Sequence, residues 1–189
     1  MKIVYWSDYA CPFCYIGETY LKKAIARLGV EDEDEVEIEM KAFELNPEAA
    51  KEYVGDTVSR FAVKYGLSKK AAADRIESIS RIGRDAGLDF RYAETRYTST
   101  YDAHRLTKLA QKQGGNELAN VLSEKLYKAY FSEGLELADH DVLVKIALES
   151  GLDKLQINEV LSSDEFGDKV KNDEWDAHAN SVRVMSQYS

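Results

Sequence analysis

The sequence predicts an α/β chain: a strand–helix–strand unit at the N-terminus, then a long all-helical region. Three observations predict it. Residues 2–7, KIVYWS, form a short β-branched and aromatic run. Residues 35–45, EVEIEMKAFEL, alternate apolar and charged side chains over their first half. From about Thr57 to Phe166 proline is absent and apolar residues recur at helical spacing.

KIVYWS reads as a buried strand, and the turn-like SDYA follows it. From Pro12, PFCYIGETYLKKAIARLG places Phe13, Ile16, Leu21, Ala24, Ile25 and Leu28 mostly three or four residues apart. That is one face of an amphipathic helix. Pro12 at its first position and Gly29 just past its end fit the usual asymmetry of helix termini. EDEDE, residues 31–35, reads as a solvated acidic loop. The second strand turns Val36, Ile38, Met40 and Ala42 inward, and NPEA ends it. A helical crossover makes the two strands parallel neighbours.

Beyond residue 57 the segments TVSRFAVKYG, KKAAADRIESISRIGRDAG, AHRLTKLAQKQG, ELANVLSEKLYKAYFSEG, DHDVLVKIALESG and KLQINEVLSS each read as a helix, most of them closed by glycine. Ser68 and Asp139 are start signals. One more helix is expected around 167–180. No period repeats, so a solenoid is excluded. The chain thus divides into 1–56, 57–166 and 167–189.

With 189 residues, the chain fits one domain, or one domain with a large insertion, and can bury a core without disulfides. Its composition, 44% apolar and 31% charged, is that of a soluble globular protein. The net charge of −9 and the lack of a Lys/Arg-rich run argue against nucleic acid or an anionic membrane as partner. MKIVYWSDYA turns polar too soon for a signal peptide or a membrane span, so a cytoplasmic location is expected.

The chain has two cysteines, Cys11 and Cys14, separated by Pro12 and Phe13. Two cysteines make no disulfide scaffold, and a cytoplasmic chain has little use for a static bridge. The pair reads as catalytic or redox-active. Cys11 falls at the N-cap or first-turn edge of the helix, where unpaired amides and the positive end of the dipole would lower its pKa. Cys14, one turn on, can close a ring with it. One thiol attacks a disulfide and the other resolves the mixed disulfide. Half a zinc site is the competing reading, but there is no second CxxC, and His104, His140 and His178 are distant in sequence. No metal or organic cofactor is expected, since the electrons reside on sulfur.

Other residues are read more plainly. His104 either lines the groove near Cys11 or bonds backbone at a helix start. Tyr9 and Phe13 could form an apolar rim for peptide or glutathione. Tyr127, Tyr130 and Phe131 read as core. His140 and His178 read as surface, and Lys69, Lys70, Arg81, Arg84 and Arg91 as a solvated face.

DYACPFCYIG (8–17), FELNPE (43–48), TYDAHRL (100–106), LYKAYFSEGLELADHDVL (126–143) and ESGLD (149–153) together resemble the DsbA-like thioredoxin-fold oxidoreductase family. The likeness is closest to its FrnE-like branch, near the 2-hydroxychromene-2-carboxylate isomerases and kappa-class glutathione transferases. It implies a thioredoxin fold interrupted by an all-helical insertion. It also implies dithiol–disulfide exchange, with Cys11 attacking, Cys14 resolving and Pro12–Phe13 as the active-site turn. The isomerase and transferase branches usually carry serine where Cys11 stands, so cysteine favours redox chemistry. Pro-Phe between the cysteines also resembles glutaredoxins, which leaves glutathione open as co-substrate.

One departure stands out. The family's Gly-Val-Pro-Phe-Phe segment, whose proline is cis, has no counterpart here, because the only prolines are Pro12 and Pro47. The family's last hairpin and helix are likewise missing. The expectation is a sheet of two strands near the site with an exposed edge, which would favour a homodimer, completion by another chain, or an impaired protein. The function expected is exchange with a disulfide- or thiol-bearing protein or small thiol. The alternatives are a glutathione-dependent isomerase or transferase, and a non-catalytic redox-sensing or binding domain.

Overall fold

The computed structural model describes residues 1–28 and 36–180. Gly29, the acidic run 31–35 and residues 181–189 lie outside them.

Strand β1 (Lys2–Ser7) is followed by helix α1 (Pro12–Ile25) and strand β2 (Glu37–Ala42). The strands pair in parallel, with Ile3 opposite Ile38 and Tyr5 opposite Met40. Among the described residues the sheet has these two strands. The helix is shorter than the apolar spacing predicts. After Ile25 the amides of Arg27 and Leu28 reach back three residues rather than four, to Ala24 and Ile25 at 3.2 and 2.8 Å, and the last turn tightens out of the α-helix. β2 is also shorter than the predicted 35–45. Phe43 still donates to Ser7 O at 3.1 Å, but Leu45 N turns away to Asp8 Oδ2 at 2.7 Å.

Helices then follow: α2 (Thr57–Tyr65), α3 (Lys69–Asp85), a 3-10 turn (Tyr92–Glu94), α4 (Tyr101–Phe131), α5 (His140–Glu149), α6 (Lys154–Ser162) and α7 (Gly167–Ala179). Side chains of Asp56, Ser68, Asp139 and Asp153 accept from backbone amides at the starts of α2, α3, α5 and α6. The two helices expected between residues 103 and 134 run on as α4, but the backbone breaks at Gly114–Gly115. Gly115 has φ +66° and ψ −161°, a region that only glycine enters freely. Among the described residues no helix is long and apolar enough to cross a membrane.

α4 lies across β2. Gln111 Nε2 donates to Met40 O at 3.0 Å, and Met40, Leu106, Leu109, Leu122 and Leu126 are buried together. A stack of rings joins α1 to α4: Tyr15 lies on Tyr127 at 4.9 Å and 6°, and Phe90 on Phe131 at 4.6 Å and 15°. Tyr127 and Phe131 are core residues, as read from their spacing. The free edge of β2 is covered by α7. Asp173 Oδ2 accepts from Ala42 N at 2.8 Å and pairs with Lys108, while Trp6 Nε1 donates to Asp173 O at 2.8 Å.

Candidate active site

The turn between β1 and α1 is held by Asp8. Its buried carboxylate accepts from Ala10 N at 3.1 Å, Leu45 N at 2.7 Å and Thr100 Oγ1 at 2.8 Å, and its carbonyl accepts from Cys11 N at 3.0 Å. One side chain therefore ties the turn to the segment after β2 and to the start of α4. Burial works against ionising Asp8. The His104 imidazole, whose Nε2 is 3.7 Å from Oδ1, and the amides of Leu45 and Ala10 outweigh it and hold the carboxyl below its usual range.

Cys11 is the N-cap of α1, with extended backbone, and its Sγ accepts from Cys14 N at 3.3 Å. Pro12 occupies the first helical position, where a missing amide costs nothing and its fixed φ suits the helix. Both cysteines are free thiols. Each thiol shifts the ionisation of the other. Donating to Cys14, and then burial, push the Cys11 thiol well up. The Cys14 thiol is pulled down, first by accepting from Cys11 and then by the Ser7 hydroxyl and Asp8 amide, against its burial. The helix end is thus not the only influence on Cys11, since its partner thiol and burial oppose it. Cys14 has more donors around it than Cys11.

Cys11 and Phe13 line a cavity of about 1100 Å³ that Cys14 does not line. Its walls come from α2, α3, the 3-10 turn and the segment after β2, through Leu45, Asn46, Phe61, Tyr65, Ile79 and Tyr92 among others. Tyr9 and His104, read as groove residues, are not among its walls. Both are fully buried beside each other, rings 4.8 Å apart, and Tyr9 Oη is 2.5 Å from Thr107 Oγ1. The turn of β1 into α1 points Tyr9 down into the core and Cys11 and Phe13 outward. Tyr130, read as core, is buried but also reaches the cavity wall. Among the described residues no three His, Cys, Asp or Glu side chains are grouped to hold a metal ion.

Residues 2–183 match the DSBA-like thioredoxin domain family. The chain belongs to that family. The DSBA-like fold also appears in solved structures. A probable DsbA oxidoreductase of Streptomyces coelicolor is 31% identical and superposes with a TM-score of 0.87, over 96% of this chain and 76% of that one. A 2-hydroxychromene-2-carboxylate isomerase, 14% identical, has a TM-score of 0.70 over 96% of this chain and 81% of its own, a likeness of fold alone. The YwbO protein of Bacillus subtilis is 26% identical over 172 residues, 89% of this chain and 75% of that protein.

Two residues of this DSBA-like site escape a reading by motif. Asp8 looks like an ordinary turn residue in SDYA, and its reach to Leu45 and Thr100 depends on contacts 37 and 92 residues away. Arg60 looks like one more surface cation of an amphipathic helix, yet it lines the cavity with Cys11.

Proposed function

We propose that the chain is a thiol–disulfide oxidoreductase in which Cys11 attacks and Cys14 resolves. The observation that carries this reading is the placing of the pair: Cys11 caps α1 and opens onto a ligand-sized cavity that Cys14, one turn on, does not line. Cys11 gives up its proton and attacks a substrate disulfide. The substrate S–S bond breaks, one half leaves as a thiolate and takes a proton from solvent, and the other half stays on Cys11. Cys14 then loses its proton, attacks the Cys11 sulfur and expels the second half as a thiol. Two electrons have passed from the protein pair to the substrate, and a Cys11–Cys14 disulfide remains. Run backwards, the same steps oxidise a dithiol. The reduction potential of the pair against its surroundings decides the direction.

The test uses the reduced protein and bis(2-hydroxyethyl) disulfide, followed by intact mass. Wild type ends as the internal disulfide, two protons lighter, with no adduct. Cys14→Ser keeps one mercaptoethanol adduct on Cys11, because nothing resolves it. Cys11→Ser is inert. An adduct that accumulates on Cys14 when Cys11 is replaced would reverse the roles. A Cys14→Ser protein that turns over like wild type would replace the dithiol mechanism with a single-thiol one.

A further inference from the structure

We propose that the cavity beside Cys11 selects a small disulfide or thiol bearing a carboxylate, and that Arg60 is the residue that reads it. The inference rests on the oxidoreductase reading above and adds the class of substrate.

The charge pattern of the cavity is opposite to that of the chain. The protein carries a net charge of −9, with 34 acidic and 25 basic residues. The cavity walls hold Arg60, Lys64 and Arg75, the last engaged in a contact of its own, and, among the described residues, no Asp or Glu. The rest of the lining is apolar or aromatic, with Asn46, Ser59 and Ser78 as uncharged polar groups. A low-dielectric cleft lined by one sign of charge concentrates the opposite sign.

Arg60 is the most specific of the three. Its guanidinium lies on the Tyr97 ring, 3.9 Å from the centroid, which fixes the plane of the fork. Its Nη1 is shut off from solvent and has no hydrogen-bond partner. A guanidinium N–H withdrawn from water without an acceptor is costly. Nη1 itself does not face the open space, so a carboxylate entering the cavity would meet the rest of the guanidinium, whose fixed plane suits its geometry. Lys64, one turn along α2, is exposed and can add attraction without shape. The cavity, about 1100 Å³, is just above the usual size of small-molecule sites, roughly 300–1000 Å³.

Three symmetric disulfides of nearly equal size separate charge from reactivity: 3,3′-dithiodipropionate, bis(2-hydroxyethyl) disulfide and cystamine. The rate at which each oxidises the reduced Cys11–Cys14 pair is followed by intact mass at fixed ionic strength. Wild type should favour the dianion over the neutral compound, and the neutral compound over the dication, despite the repulsion of the negative chain. Arg60→Gln should slow the dianion about tenfold, the loss of one charge-assisted hydrogen bond, and leave the neutral disulfide within about twofold. Arg60→Lys should fall between, since it keeps the charge and loses the fork. Lys64→Gln removes the same unit of charge at the exposed rim and should cost the dianion far less.

Equal losses in Arg60→Gln and Lys64→Gln would mean a long-range field and no reader. A neutral disulfide slowed as much as the dianion, in both Arg60 variants, would make Arg60 a packing residue. Either result overturns the proposal and leaves the oxidoreductase reading standing. If none of the three disulfides oxidises the wild-type pair, the oxidoreductase reading fails and this inference fails with it.

Discussion

Cys11 and Cys14 are three residues apart, yet their surroundings differ. Cys11 meets the cavity and a single backbone donor, whereas Cys14, off the cavity wall, has the Ser7 hydroxyl and the Asp8 amide beside it. The spacing and the helix start were legible in CPFC. The surroundings of Cys14 were not, because they depend on Ser7 and Asp8 folding against it. A second buried group shows the same limit. Glu44 follows β2 in a segment that reads as a plain strand end. Burial first, then the charges of Glu174, Asp8 and Asp102, push its carboxyl up to about 8. In the unfolded chain it would ionise near 4.3, the usual glutamate value. Below about pH 4 both states are protonated and Glu44 has no effect on stability. As pH rises toward about 8 the unfolded chain ionises first, binds fewer protons than the fold, and stability is lost; above that the penalty is constant. Glu44→Gln should therefore unfold with wild type at pH 4 and at a progressively higher temperature than wild type up to pH 8. A difference in melting temperature that stays flat with pH would contradict the raised carboxyl.

At the scale of elements, helix limits were largely written in the chain. Asp, Ser and Gly mark the starts and stops of α2, α3, α5 and α6, because these residues satisfy end groups locally. The Gly114–Gly115 break was legible for the same reason. The seat of α7 was not. Its contact with β2 joins residues 131 positions apart, Ala42 and Asp173, and no local rule forecasts it. Asp173 bonds the free edge of β2 and pairs with Lys108, whose side chain is 7% exposed. Removing one member of a buried pair strands the other. Asp173→Ala should destabilise the protein by about 3–5 kcal/mol, with Asp173→Asn recovering part of it by keeping an acceptor for Ala42 N. Chemical denaturation measures both. A loss under about 1 kcal/mol for Asp173→Ala would show that α7 is held by its apolar contacts alone.

At the scale of the molecule, a parallel sheet, two-stranded among the described residues, presents Cys11 with its crossover helix, and α2, α3 and the 3-10 turn roof the space above it. The first part was readable from period and motif, and the order of elements with it. The roof was readable as helices, but not as the wall of a site, since only packing brings Phe61, Tyr65 and Arg60 of α2 over the CxxC turn. The account stands or falls on whether the two sulfurs act as one couple. The deciding measurement is a redox titration of Cys11 and Cys14 in glutathione buffers, read by thiol alkylation and intact mass. The account predicts a single two-electron transition between the dithiol and the internal disulfide, with a midpoint in the range of known oxidoreductases, about −120 to −270 mV. Thiols that stay unreactive across that range, or one cysteine that merely keeps a glutathione adduct, would contradict it.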